Sequence, residues 1–121
     1  MEWNIAADSP IYLQLARQLR LGIVSGGYAP GEKLPAVREL ALSAGVNPNT
    51  MQRALAELER DGLVYSQRTT GRYVTEDTEL IARAREGLAR EQTERYLASM
   101  RRLACPREEI IGLIEAMTKE E

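Results

Sequence analysis

The chain has 121 residues, one cysteine, no histidine and a formal net charge of −2, a size that suits one small domain or one domain with an appendage. The absence of histidine excludes a His-based zinc site and the Ser-His-Asp and Cys-His nucleophiles within this chain, and no glycine-rich phosphate loop is present. We therefore predict no catalytic residues, no metal site, no cofactor and no enzymatic activity.

Charge and hydropathy indicate the partner only weakly. Residues 1–75 carry eight Lys and Arg against seven Asp and Glu, whereas residues 76–121 carry eight against eleven. A nucleic-acid partner must therefore be argued from where the charges lie rather than from their sum.

No apolar run approaches the ~18 residues of a membrane span, and the lone Cys105 fits a reducing compartment. We expect a soluble, cytoplasmic protein that does not contact a membrane.

The first predicted helix follows Asp8, with Ser9 as its cap and Pro10 at its first helical position. Its apolar residues recur every four positions: Ile11, Leu15, Leu19 and Ile23. This spacing indicates one apolar face of an amphipathic helix. We expect the face to pack beneath the helices that follow; the alternative is a groove for a partner.

A short second helix is predicted to begin just past Pro35 and to turn Val37, Leu40 and Ala41 inward. Arg38 lies near its N-terminus, where the helix dipole disfavours a cation. A DNA phosphate would explain an arginine at this position. The alternative is a solvated arginine, paired with Glu32.

A four-residue turn, 44–47, leads into a third helix that has Asn47 as its cap and Pro48 in its first turn. Its predicted buried face consists of residues at helical spacing: Met51, Ala54, Leu55 and Leu58. The other face presents side chains that can bond to base edges near the N-terminus: Asn49, Thr50, Gln52 and Arg53. We interpret this helix as a recognition helix; the alternative is an ordinary polar surface.

Two β-prone runs, 63–65 and 72–74, follow the glycine that ends this helix. Arg68 and Arg72 flank the tip of the ribbon, where they can reach the DNA backbone or the minor groove. Gly71 permits a positive φ or a close backbone approach, although it could be a turn glycine alone. Helix, turn, helix and ribbon together predict a winged helix-turn-helix in residues 1–75.

Residues 76–121 are predicted to form a separate helical tail, with one run from about Thr78 to Ala104, a break at Pro106 and a second helix. Two amphipathic helices cannot bury their stripes completely on each other, so we predict pairing with the same segment of a second chain. The candidate dimerisation residues are Leu88, Tyr96, Met100, Leu103, Ile110, Leu113, Ile114 and Met117. Tyr96, Met100 and Cys105 could also line a pocket for a small-molecule effector, although such a stripe is more often core.

Two stretches carry a family resemblance. They read Pro-Gly-Glu-Lys-Leu-Pro-Ala-Val-Arg-Glu-Leu-Ala and then Gly-Val-Asn-Pro-Asn-Thr-Met-Gln-Arg-Ala-Leu-Ala-Glu-Leu-Glu-Arg-Asp-Gly-Leu-Val. From about Pro10 to Val74 the chain resembles the GntR family of bacterial transcription regulators. The short two-helix tail is similar to that of the YtrA subfamily. The α+β fold class thus expected is an N-terminal winged helix-turn-helix, with three helices and a two-stranded wing, followed by a two-helix dimerisation tail.

The resemblance implies a homodimeric repressor that binds an inverted-repeat operator in double-stranded DNA, often near genes for transporters. It carries DNA contacts over to Arg38, to Gly71 and to the four polar residues at the start of the third helix. Three departures stand out: Ala36 replaces a Ser or Thr cap, Thr69 replaces a wing glycine, and Pro48 and Gln52 stand where some relatives read DNA with arginine. A winged-helix module that binds protein without specific DNA binding is the alternative.

Overall fold

The computed structural model describes residues 1–120, in which five helices and one antiparallel pair of strands form. In chain order they are α1 (Ile11–Val24), α2 (Val37–Ala44), α3 (Pro48–Arg60), β1 (Val64–Gln67), β2 (Gly71–Val74), α4 (Thr78–Arg102) and α5 (Arg107–Met117). The predicted fold class is confirmed: three helices and a two-stranded wing precede two further helices. By its contacts the chain divides into two compact units, Met1–Glu86 and Gly87–Glu121, so the first turns of α4 belong to the N-terminal unit. The functional division at residue 75 stays a prediction.

The core of the N-terminal unit lies mainly between α1 and α3. The apolar face predicted for α3 is confirmed, because Met51, Ala54, Leu55 and Leu58 are all almost completely buried. On α1 the prediction holds for Leu15, Leu19 and Ile23, which are buried, but it is wrong for Ile11, which is exposed. Ile11 is the first residue of the helix, where the chain has not yet reached the core.

The start of α1 also differs from the prediction. Pro10 rather than Ser9 occupies the cap position, and the helix has no side-chain cap. The side chain of Gln14 instead organises the preceding segment: its amide nitrogen donates to the carbonyl oxygens of Ala6 and Ser9, at 2.7 and 2.9 Å. Trp3 donates from its indole nitrogen to the Ser43 hydroxyl at 3.0 Å, which ties the N-terminal segment to α2.

The helix-turn-helix forms as its turn residues predict. Gly45 ends α2 with a positive φ of 69°, a conformation that glycine adopts without steric cost. Asn47 caps α3, since its side-chain oxygen accepts a hydrogen bond from the Asn49 backbone N–H at 2.8 Å. At the start of α2, Ala36 has extended backbone angles but offers no cap, so the missing cap partner of Glu39 is confirmed.

A third segment of the chain pairs with the wing, which the sequence patterns did not predict. Strands β1 and β2 pair from Val64↔Val74 to Gln67↔Gly71, and Lys33 forms a further bridge to Tyr73. The segment before α2 is hydrogen-bonded along the outer side of β2, from the Leu34 N–H to the Arg72 carbonyl (2.9 Å) and from the Val74 N–H to the Glu32 carbonyl (2.9 Å). The wing is thereby joined to the chain that enters α2.

Candidate nucleic-acid interface

The first two turns of α3 present the side chains that were predicted to read bases. Asn49, Gln52 and Arg53 are exposed and Thr50 is half-buried, so all four are accessible from outside the helix. Three of them, Asn49, Thr50 and Arg53, line a shallow groove of about 580 Å³ whose other wall is the start of α1. That wall consists of Pro10, Ile11 and Tyr12. The groove explains why Ile11 is exposed, because it forms part of this rim.

Arg38 is exposed near the start of α2 and makes no ion pair or hydrogen bond with any residue in the range 1–120. The pairing with Glu32 that was the alternative explanation is absent from that range. The Glu32 carboxylate instead accepts the Ala29 backbone N–H at 2.8 Å. Arg38 is therefore free to take an anion from outside the chain.

A second concave surface, about 540 Å³, lies between the start of α2 and β2. Its charged lining residues include Lys33, which the sequence patterns did not single out as a candidate. Gly71 lines it too, with a φ of +126°, and a Cβ on this glycine would come within 3.1 Å of Lys33 Cε. The backbone angle favours glycine here, whereas the flexible Lys33 side chain could move aside for a Cβ. Lys33 reaches this surface because residues 31–34 pair with β2, and that pairing depends on the tertiary fold rather than on a sequence pattern.

The tip of the wing is strained at one residue. A turn closed by the Thr70 N–H on the Gln67 carbonyl (3.2 Å) places Thr69 at a φ of +68°. A β-branched side chain in this left-handed region is unfavourable. Arg68, next to it, is exposed and has no hydrogen bond or ion pair to the chain from Met1 to Glu120. The tip therefore has a threonine, Thr69, at a position where the resemblance implies glycine. Beside it, Arg68 is an exposed cation without a partner in the described chain.

We expect Thr69→Gly to stabilise the N-terminal unit by about 1 kcal/mol, because it removes the strain of a threonine at positive φ. Glycine also raises the conformational entropy of the unfolded chain, which offsets part of this gain. The free energy of unfolding from urea titration measures the effect. Thr70→Gly is the matched control at the same tip, where φ is not positive, and it should destabilise instead. Equal effects of the two glycines would contradict the strain at Thr69.

Arg72, unlike Arg68, is already paired within the chain. Its Nε donates to Glu59 Oε1 at 2.7 Å, and the Ser66 hydroxyl donates to the same oxygen at 2.6 Å. Partial burial would by itself raise the pKa of the Glu59 carboxyl, but the hydrogen bonds from Ser66 and Arg72 and the charge of Arg72 outweigh it and lower the pKa. Arg72 thus links the wing to α3 through its ion pair with Glu59. The contact of Arg72 with DNA stays a prediction.

We expect Glu59→Gln to lower the free energy of unfolding at pH 7 by about 0.5–1 kcal/mol, as for a partly exposed ion pair. Because the folded-state pKa of Glu59 is depressed, the charged carboxylate stabilises the fold above its unfolded pKa of about 4.3, and this contribution is lost as the pH falls through the folded value. The difference between wild type and variant should therefore shrink as the pH falls below about 5. Urea titrations across this range measure it. Glu79→Gln, at a largely exposed carboxylate 3.9 Å from Arg83, is the control, and a pH-independent Glu59 difference would contradict the linkage.

The acidic residues of α3 and its cap are neutralised inside the chain. Glu57 pairs with Arg60 at 3.1 Å, Glu59 with Arg72 at 2.7 Å, and Asp61 with Arg20 at 2.6 Å. These pairs lie in the second half of the helix and beyond it. The N-terminal end therefore keeps its donors while the acidic end has its charge balanced, an asymmetry that favours an anionic partner at the N-terminal end.

The C-terminal unit exposes much of its apolar surface. Among the predicted dimerisation residues, Leu103 and Met117 are 70% and 80% exposed, and Tyr96, Leu113 and Ile114 are also exposed. Leu88 and Met100 are half-buried, whereas Ile110 is buried within the chain itself.

Burial and the charge of Glu109 raise the pKa of the Cys105 thiol, which disfavours the reactive thiolate. Among residues 1–120 no helix is long and apolar enough to cross a membrane, and no acidic or cysteine cluster there could hold a metal ion.

An unpaired arginine at the start of the first helix of a helix-turn-helix, side chains suited to base edges at the start of its second helix and a β-wing joined to that helix are the features of a winged helix-turn-helix DNA-binding protein. The family model described as bacterial regulatory proteins of the gntR family matches residues 11–74. The chain belongs to the GntR family of DNA-binding transcriptional regulators, as its sequence motifs predicted.

Two curated relatives from Bacillus subtilis support this assignment and its YtrA-like character. The uncharacterized HTH-type transcriptional regulator YhcF is 37% identical over 119 residues, which cover 98% of each chain. The HTH-type transcriptional repressor YtrA is 42% identical over 71 residues, covering 59% of this chain and 55% of that protein.

Solved structures extend the likeness to the fold. A GntR family transcriptional regulator from Listeria monocytogenes, 39% identical, superposes with a TM-score of 0.85 over 93% of this chain and 98% of its own. YtrA from Sulfolobus acidocaldarius, 32% identical, gives a TM-score of 0.55 over 99% and 97%. The DNA-binding domain of AraR in complex with operator ORX1, 26% identical, gives 0.54 over 62% and 99%.

Proposed function

We propose that the protein is a homodimeric repressor that binds an inverted-repeat operator, with the start of α3 in the major groove and the wing beside it. The observation that carries the proposal is the set of accessible, uncommitted groups at this surface: Arg38 and Arg68 without partners in the described chain, and Asn49, Gln52 and Arg53 at the start of α3. These are the side chains that bind phosphates and base edges. A structural relative, the AraR DNA-binding domain, was solved on its operator, which supports the same use of the fold here.

The exposed apolar residues of the C-terminal unit support the dimer. Side chains such as Leu103 and Met117 are costly to leave in water, and a two-fold partner would bury them together with Leu113 and Ile114. A two-fold dimer presents two recognition helices to two half-sites, which matches an inverted repeat. The repressor function follows the name of the relative YtrA, and a transporter operon is the target class that the resemblance implies.

The test is a gel-shift of the purified protein on the promoter of its own gene, run across a salt series with excess nonspecific duplex. We expect a discrete complex that survives the competitor, weakens steeply with salt because phosphate contacts release counterions, and gives a symmetric footprint. A transcription assay on the same promoter should show less transcript when protein is added. If no selective complex forms on this promoter or on duplexes selected from a random library, the operator-binding function is refuted and the protein-interaction module becomes the better account.

A further inference from the structure

We propose that Tyr12, on α1, is a positioning residue for base reading: its ring holds the guanidinium of Arg53 in place at the start of the recognition helix. Arg53 Cζ lies 3.9 Å from the centre of the Tyr12 ring. The two residues are distant in the chain and meet only because α1 packs against α3. The inference rests on the proposed function, since it concerns the contact that Arg53 makes with DNA.

Tyr12 and Arg53 differ in conformational freedom. Tyr12 is half-buried and packs against the core of the N-terminal unit, so its ring is fixed by the fold. Arg53 is exposed and has no hydrogen bond or ion pair within residues 1–120. A long exposed side chain loses rotamer freedom when it binds a base, and a contact that already orders it reduces this loss. The ring therefore orders the arginine rather than the reverse.

The contact with Tyr12 leaves the hydrogen-bond donors of the Arg53 guanidinium unused. A cation–π contact depends on the charge of the guanidinium over the ring and occupies none of its N–H donors, which can still bond to a guanine edge. Arg72 shows the contrasting case, because its Nε donor is occupied by the Glu59 carboxylate at 2.7 Å. Tyr12 thus holds an arginine without using its hydrogen bonds, whereas Glu59 uses them.

The position of the ring supports a role in recognition rather than in packing alone. Tyr12 and Arg53 line one groove with Asn49 and Thr50, two other predicted base-reading residues. Tyr12 is therefore part of the rim that would face the duplex. Side chains that approach the same base pairs are most selective when their relative positions are fixed before binding.

The experiment is a double-mutant cycle on duplexes that wild type selects from a random library, read as affinity for the selected sequence and for its single-base variants. Arg53→Ala should lose discrimination at one base position of each half-site. Tyr12→Leu should reduce discrimination at that same position by about two- to fivefold, the range of an exposed cation–π contact. It should have no further effect in the Arg53→Ala background. Tyr12→Phe keeps the ring and should retain the wild-type preference.

Two controls separate positioning from stability. Tyr28→Leu makes the same change at another half-buried tyrosine of the same unit, whose hydroxyl contacts Met1 rather than Arg53, and should leave every base preference unchanged. The salt slope of Tyr12→Leu should equal that of wild type, because no phosphate contact is lost. In the free protein, the Arg53 side-chain proton resonances should lie upfield through the Tyr12 ring current and return on Tyr12→Leu.

Full discrimination in a folded Tyr12→Leu protein would overturn the inference while leaving the proposed function intact. A loss in Tyr12→Leu that simply adds to that of Arg53→Ala, or one that Tyr12→Phe fails to rescue, would overturn it as well. A wild type that selects no sequence would overturn the proposed function and this inference with it.

Discussion

Ile114→Asp is expected to turn the dimer into monomers and to weaken binding to the full operator by at least about a hundredfold. Ile114 is 46% exposed on α5 and belongs to the apolar stripe proposed as the two-fold interface. In such an interface the substitution would bury two unpaired carboxylates, which association cannot tolerate. A monomer then loses the avidity of two linked half-sites, which is worth about 10²–10⁴ in affinity.

Light scattering and gel-shifts on full and half operators measure this effect. The affinity for a half-site should remain unchanged, because the DNA-binding unit is untouched. Ala116→Asp introduces the same charge about 200° around the same helix from Ile114, and it should stay dimeric. A dimeric Ile114→Asp protein would refute the role assigned to α5. Removal of the whole tail should also give a weakly binding monomer, but the cut belongs after Glu86, because Leu80, Ile81 and Ala84 pack against the N-terminal core.

Arg38→Ala is expected to weaken binding to every DNA sequence by roughly tenfold or more, the range for a lost charge-assisted hydrogen bond. Because each half of a dimer contributes one Arg38, the slope of log affinity against log salt should become shallower by about 1.8, twice the value for one phosphate. Base preferences should be retained, since a phosphate contact positions the protein without reading sequence. Affinity measured from low to high salt on specific and unrelated duplexes tests all three expectations.

Arg60→Ala is the matched control. It removes the same charge from an arginine that is 72% exposed at the C-terminal end of α3, where Glu57 is its ion-pair partner. This end of a recognition helix points away from the duplex, so the salt slope should change little. An Arg38→Ala dimer that binds all duplexes as wild type does would remove Arg38 from the interface.

The local part of the fold could be predicted because it depends on residues near one another in sequence. Met51, Ala54, Leu55 and Leu58 lie on one face of any helix that spans them, and Asn47 can cap only the helix that follows it. Glycine at position 45 likewise fits a turn with a positive φ wherever that turn lies in the fold. These features are settled by periodicity and backbone geometry before tertiary packing begins.

The partners of the arginines could not be predicted in this way. The four arginines Arg38, Arg53, Arg68 and Arg72 look alike in the sequence. In the structure two of them have no partner in the described chain, Arg53 lies over the Tyr12 ring and Arg72 pairs with Glu59. Which of these occurs depends on how α1, α3 and the wing pack together, so the contacts join residues far apart in the chain. The same holds for the segment 31–34 that pairs with β2, which has no strand pattern in the sequence.

The pairing of residues 31–34 with β2 determines which part of the wing is already ordered in the free protein. An isolated two-stranded hairpin is only marginally stable in water, but here β2 is hydrogen-bonded on both sides, to β1 and to the segment that enters α2. The hydrogen-bonded amide protons of β2 should therefore exchange with solvent as slowly as those of the neighbouring helices, while those of Arg68 and Thr69 at the tip exchange fast. Conformational entropy is then lost mainly at the tip when the wing binds a nucleic acid, so ordering of the strands offsets little of the free energy of the wing's contacts.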